Sequence, residues 1–116
     1  MKNNIEQFKE IADSLCRLYE KKDKCYGGSF STTYQKLGII SAVTRISDKY
    51  NRLCNLATNP DIDNLGESIE DTLRDMASYC IMTLMEMKNE RGNDTTLDDL
   101  EKLKQDSLLY DVFREQ

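Results

Sequence analysis

The stretch GESIEDTLRDMASYCIMTLMEMKN, residues 66–89, decides the fold. Ile69, Leu73, Met76, Ala77, Cys80, Ile81, Leu84 and Met87 recur at intervals of three and four residues. That spacing predicts a helix over roughly Gly66 to Asn89 with a broad apolar stripe. Arg91-Gly92-Asn93 ends it, with a basic residue and a glycine where a helix C-terminus favours them. Met82 and Met85 fall off the stripe, so the second half of the helix is apolar nearly all round, and such a helix is usually buried.

The first half of the same helix is acidic. Glu67, Asp71 and Asp75 are spaced by four residues, and each such step turns only about 40° around a helix. Glu70 lies about 60° to the other side, so four carboxylates share one arc of about 140°. Stacked like charges cost a few tenths of a kcal/mol each in an isolated helix. Clusters of this kind are what Mg²⁺ or Mn²⁺ takes, since both prefer oxygen ligands. Glu70 falls inside the apolar arc, beside Ala77 and Ile81, and a carboxylate there must be paired, metal-bound or neutral. The alternative is ion pairing with Arg45, Lys49, Arg52 or Arg74.

Working outward, Ile39, Ala42, Val43, Ile46, Tyr50, Leu53 and Ala57 predict a helix over roughly Tyr34 to Ala57. Arg45, Asp48 and Arg52 lie on its other side with Lys49 flanking them. Pro60 stops it, and residues 59–64 read as a turn. Ile5, Phe8, Ile11, Ala12, Leu15, Leu18 and Tyr19 predict an earlier helix over roughly Asn4 to Lys22, closed by a lysine-rich run that suits its C-terminal dipole. Between these two, residues 25–33 (CYGGSFSTT) read as a Gly-rich loop. A short helix is expected from about Thr96, capped by that residue, followed by an apolar tail over residues 108–113 that docks on the body or on a second subunit.

These elements make one all-α domain over residues 1–116, a bundle of about four helices, with oligomerisation as the expected way to cover the apolar surplus. One proline and five glycines in 116 residues agree with long helices, and 32% charged residues with an extensive polar surface. A formal net charge of −5 argues against direct DNA binding, which needs a basic footprint. No apolar run reaches the ~20 residues of a membrane span, and no signal segment follows Met1, so the expected compartment is the cytoplasm. Cys16, Cys25, Cys54 and Cys80 form no close zinc-ligand pair, and the chain has no histidine, so they read as reduced thiols.

Three runs in order carry a resemblance: Lys24-Cys25-Tyr26-Gly27-Gly28-Ser29-Phe30, then residues 45–53 (RISDKYNRL), then residues 67–79 (ESIEDTLRDMASY). Together they resemble the nucleotide modification associated domain 1 family of small phage and bacterial proteins, over about Phe8 to Leu84. That family is in turn similar to the MazG-like, all-α nucleoside triphosphate pyrophosphohydrolases, dimers or tetramers that hold Mg²⁺ with acids on two helices. The resemblance implies a MazG-like bundle and a nucleotide partner. It also departs from the enzyme pattern. Where those enzymes carry ExxE on one helix and ExxD on the next, this chain offers Asp48 alone on the first, and Glu67, Glu70, Asp71 and Asp75 on the second.

Two functional expectations follow. As a Mg²⁺- or Mn²⁺-dependent pyrophosphohydrolase, the chain would use Glu67, Glu70, Asp71 and Asp75 catalytically, with Glu67, Asp71, Asp75 and Asp48 on the metal. Lys24, Arg45, Lys49 and Arg52 would meet the phosphates, and Tyr26 or Phe30 would stack on the base. As a non-catalytic binder, it would sequester a nucleotide or a nucleotide-derived signal. A third class, a structural protein whose charged faces are solvated surface, needs none of these roles.

Overall fold

The computed structural model describes residues 2–26 and 28–92, of which 25, 26 and 92 by backbone alone. Every described element is helical: α1 (Asn4–Tyr26), α2 (Ser29–Leu37), α3 (Ile39–Ala57) and α4 (Leu65–Gly92). The all-α expectation holds. The helix expected from Thr96, and the tail over 108–113, lie outside the described residues. Residues 1–83 form one compact unit, and a second begins at Leu84, of which the described part is the end of α4.

The helix starts obey local chemistry. Asn3 caps α1: its Oδ1 accepts the Glu6 N–H at 2.8 Å, satisfying one of the unpaired donors of the first turn. Lys2 and Glu10 form an ion pair along the same end. After α3, the turn places Asn64 at φ 56°, a left-handed value that asparagine tolerates, and α4 begins at the next residue.

Two boundaries differ from the sequence expectation. The helix expected to run unbroken from Tyr34 to Ala57 is split at Gly38, which adopts φ 72° and ψ −157°. Only glycine occupies that region comfortably. Gly38 donates its N–H to the Tyr34 carbonyl at 2.7 Å, and its own carbonyl accepts from the Ser41 N–H at 3.1 Å. One residue thus closes α2 and opens α3. The second difference lies in the expected loop over 25–33: α1 continues to Tyr26, and Ser29 to Thr33 are already helical. Gly28, left-handed at φ 75°, stands immediately before α2.

The helicity of Ser29–Thr33 comes from packing, because serine and threonine favour caps and turns when alone. Phe30 and Tyr34 lie one turn apart and form the core with Ala42, against which Tyr79 and Met82 of α4 pack. The Phe30 ring sits 6.5 Å from that of Tyr34 and 5.9 Å from that of Tyr79, both offset stacks. Leu15 of α1 and Leu56 of α3 are the other buried apolar residues among those described. The apolar stripe of α1 is covered only towards its C-terminus: Ile5, Phe8 and Ile11 are exposed, Phe8 by 77%. Ile81, Leu84 and Met85 of α4, expected to be buried, are also exposed.

Candidate functional site

The middle of α4 is where polar groups of α1 and α3 meet. Thr72 is the largest fully buried side chain among the described residues, 2% exposed. Its hydroxyl donates to the Ser68 carbonyl at 2.7 Å and accepts from Arg52 Nε at 3.3 Å. Three residues further along α4, Asp75 receives Lys49 on Oδ2 at 3.1 Å and Lys22 on Oδ1 at 3.2 Å. The two α3 residues are also three apart, in reverse order, as expected for antiparallel helices joined by the 58–64 turn. Arg74 reaches α1, donating from NH1 to Ser14 Oγ at 2.7 Å and from NH2 to Glu70 at 3.1 Å.

Four cations therefore face two carboxylates here, in a chain that is acidic as a whole. Asp75, 25% exposed, is the electrostatic centre. Burial pushes its carboxyl upward. The hydrogen bonds and charges of Lys49 and Lys22 outweigh that and hold it below the ordinary carboxylate range. Each half-exposed pair stabilises by about 0.2–1 kcal/mol, so the cluster steers orientation more than it holds the fold.

The residues expected to form a site divide into groups. Lys49, Arg52 and Asp75 are brought together. Glu70, expected in the apolar arc, is instead 65% exposed and paired with Arg74 at i,i+4, which removes the need for neutrality or a metal. Glu67 and Asp71 are exposed and form no ion pair among the described residues. Lys24, Arg45 and Asp48 are exposed on α1 and α3. Phe30 is 9% exposed and stacked within the core, so its ring is committed to protein packing and offers no free face to a base. The Tyr26 side chain lies outside the described residues.

Among the described residues no three acids or thiols stand close enough to share a metal ion. Both oxygens of Asp75 already hold lysines, and Glu70 holds an arginine. The donor set expected for Mg²⁺ or Mn²⁺, Glu67, Asp71, Asp75 and Asp48, does not fit a divalent ion in this arrangement. Sequence reading missed Lys22, which looked like one more cation in a helix-ending run, and Thr72, whose hydroxyl anchors Arg52. A lysine 53 positions from its carboxylate leaves no local signal.

Residues 22–87 match the family described as nucleotide modification associated domain 1. The match spans more than half of the 116-residue chain, and the chain belongs to that family. No curated protein and no solved structure matches it. None of the described helices is long and apolar enough to cross a membrane.

Proposed function

We propose that this member of the nucleotide modification associated domain 1 family binds a nucleotide, or a phosphorylated nucleotide derivative, through the cationic face where α1 and α3 meet α4. Its setting is nucleotide-pool or DNA-modification metabolism. The observation that carries the reading is the convergence of Lys22 and Lys49 on one carboxylate, with Arg52 one turn along α3 bound, among the described residues, to a hydroxyl alone. Phosphate oxygens recruit lysine as a point charge and arginine as a planar fork, through charge-assisted hydrogen bonds stronger than neutral ones. Arg45, one turn before Lys49, and Lys24, near the end of α1, extend the positive field at the rim.

The finer reading is a Mg²⁺-dependent nucleoside triphosphate pyrophosphohydrolase. It draws on the likeness of the family to MazG-like enzymes and on Glu67 and Asp71, which are exposed at the start of α4. Because the acids do not gather for a divalent ion, the non-catalytic binder is the reading the geometry favours, and no hydrolytic step is assigned to any residue. A homo-oligomer, dimer or tetramer, belongs to the proposal. Its support is the uncovered Ile5, Phe8 and Ile11 stripe, because patches of this kind commonly mark interfaces.

The experiment is a binding screen of canonical and modified deoxynucleoside triphosphates in chelator, followed by a pyrophosphate-release assay with Mg²⁺. Saturable binding in chelator, weakened by raising salt, is the expected result. Absence of binding to every nucleotide with and without Mg²⁺ would sink the proposal. Pyrophosphate release at stoichiometric enzyme would instead favour the hydrolase.

A further inference from the structure

Asp75 is held in an unusual way for a surface carboxylate. Each of its two oxygens takes a different lysine, one from α1 and one from α3, at 3.2 and 3.1 Å. One negative charge thus sits between two positive ones, and the pairing leaves an excess of one cation. The cluster is reachable from solvent: the Lys22 side chain is 49% exposed. Arg52, three residues beyond Lys49, rises about 4.5 Å further along α3. Its Nε donates to the Thr72 hydroxyl, and among the described residues no carboxylate pairs with its charge. The layout is a two-lysine seat already occupied by an anion, with an uncompensated arginine beside it.

Resting on the nucleotide-binding reading above, we infer that Asp75 is an internal stand-in for a ligand phosphate, and that Lys22 is the second arm of the phosphate seat. A phosphate group carries close to two negative charges and three strong acceptor oxygens, against one charge and two oxygens for a carboxylate. It therefore satisfies Lys22 and Lys49 together and displaces Asp75, whose side chain turns towards solvent. A neighbouring phosphate then lies within the field of Arg52. The ligand class is a diphosphate or triphosphate group, and Asp75 lowers its affinity by competing for the seat.

This role is opposite in sign to that of a metal ligand or catalytic acid, for which neutralising Asp75 abolishes function. The test is calorimetric titration of the full chain with inorganic pyrophosphate and with a deoxynucleoside triphosphate, both in chelator. The wild type is compared with Asp75→Asn and Lys22→Gln. Two half-exposed ion pairs set the competition, so Asp75→Asn tightens binding about two- to thirtyfold. Lys22→Gln weakens it by about threefold or more. If the wild type binds and Asp75→Asn binds no tighter, the stand-in role is overturned while the nucleotide-binding reading stands. If no form of the protein binds either ligand, both fall. Should Asp75→Asn fail to fold, as judged by circular dichroism, Lys22→Gln alone decides: unchanged affinity overturns the second arm and with it the seat.

Discussion

Replacing three glycines by alanine, one at a time, separates backbone conformation from packing. At Gly28, Gly38 and Gly66 an added Cβ meets nothing within 4 Å, so steric crowding is absent from all three. What differs is φ and ψ. Gly38 has φ 72° and ψ −157°, a region that costs a side-chain-bearing residue about 1–3 kcal/mol. Gly28, at φ 75° and ψ 25°, is in the left-handed helical well, where the cost is about 1–2 kcal/mol. Gly66 is in the first turn of α4, where alanine stabilises by about 0.4–1 kcal/mol, chiefly by restricting the unfolded chain. That same restriction offsets part of the cost at the other two sites. The expected order is therefore Gly66→Ala above wild type, Gly28→Ala below it by up to about 1.6 kcal/mol, and Gly38→Ala lowest, by up to about 2.6 kcal/mol. At about 4–8 °C per kcal/mol for a domain of this size, Gly38→Ala lowers Tm by roughly 10 °C. Thermal and urea unfolding followed by circular dichroism read the series. A neutral or stabilising Gly38→Ala would mean that the helix runs unbroken from Tyr34 to Ala57, as the periodicity alone suggests, and would refute the split into α2 and α3.

Other outcomes follow from the same structure. The Asp75 carboxyl is held below its ordinary range, so its contribution to stability is fully present above the unfolded value of about 3.9 and is lost as pH falls through the lower folded value. Urea midpoints measured across the acid range should show up to about 1 kcal/mol of this loss in the wild type and none in Asp75→Asn. Phe30→Ala empties the stack between Tyr34 and Tyr79 and should destabilise by about 3–5 kcal/mol, visible as a collapse of the unfolding midpoint. A Phe8→Ser change leaves the chain's described core untouched, so far-ultraviolet circular dichroism should hold; if the proposed oligomer forms through α1, light scattering of the variant shows a smaller mass than the wild type, and an unchanged mass would count against that proposal.

The helices of this chain were legible where periodicity alone sets them. α1, most of α3 and α4 follow from apolar residues at three- and four-residue intervals. Gly38 was not, because a single glycine inside a periodic run is tolerated in a helix, and only its φ reveals a joint. The helical start of α2 was hidden for the opposite reason. Its serines and threonines look like a loop, and the tertiary contacts of Phe30 and Tyr34 override that preference. In the site, the acidic face of α4 was visible as spacing, and Lys49 and Arg74 stood among the candidate partners of its acids, but Lys22 did not. Long lysine and arginine side chains choose partners on other helices, and Lys22 finds Asp75 only once α1 is in place. The spacing thus left a metal cluster and ion pairing both open, and in the fold the central acid, Asp75, is a counter-ion to lysines.

The central claim, that phosphate is taken by lysines and an arginine without a metal, is tested most directly by nuclear magnetic resonance of the lysine ammonium and carboxylate groups. A deoxynucleoside triphosphate is titrated in chelator and the shifts are mapped. The predicted result is that Lys22, Lys49 and Asp75 move together and saturate, while Glu67 and Asp71 stay still. Shifts confined to Glu67 and Asp71, appearing only when Mg²⁺ is added, would contradict it.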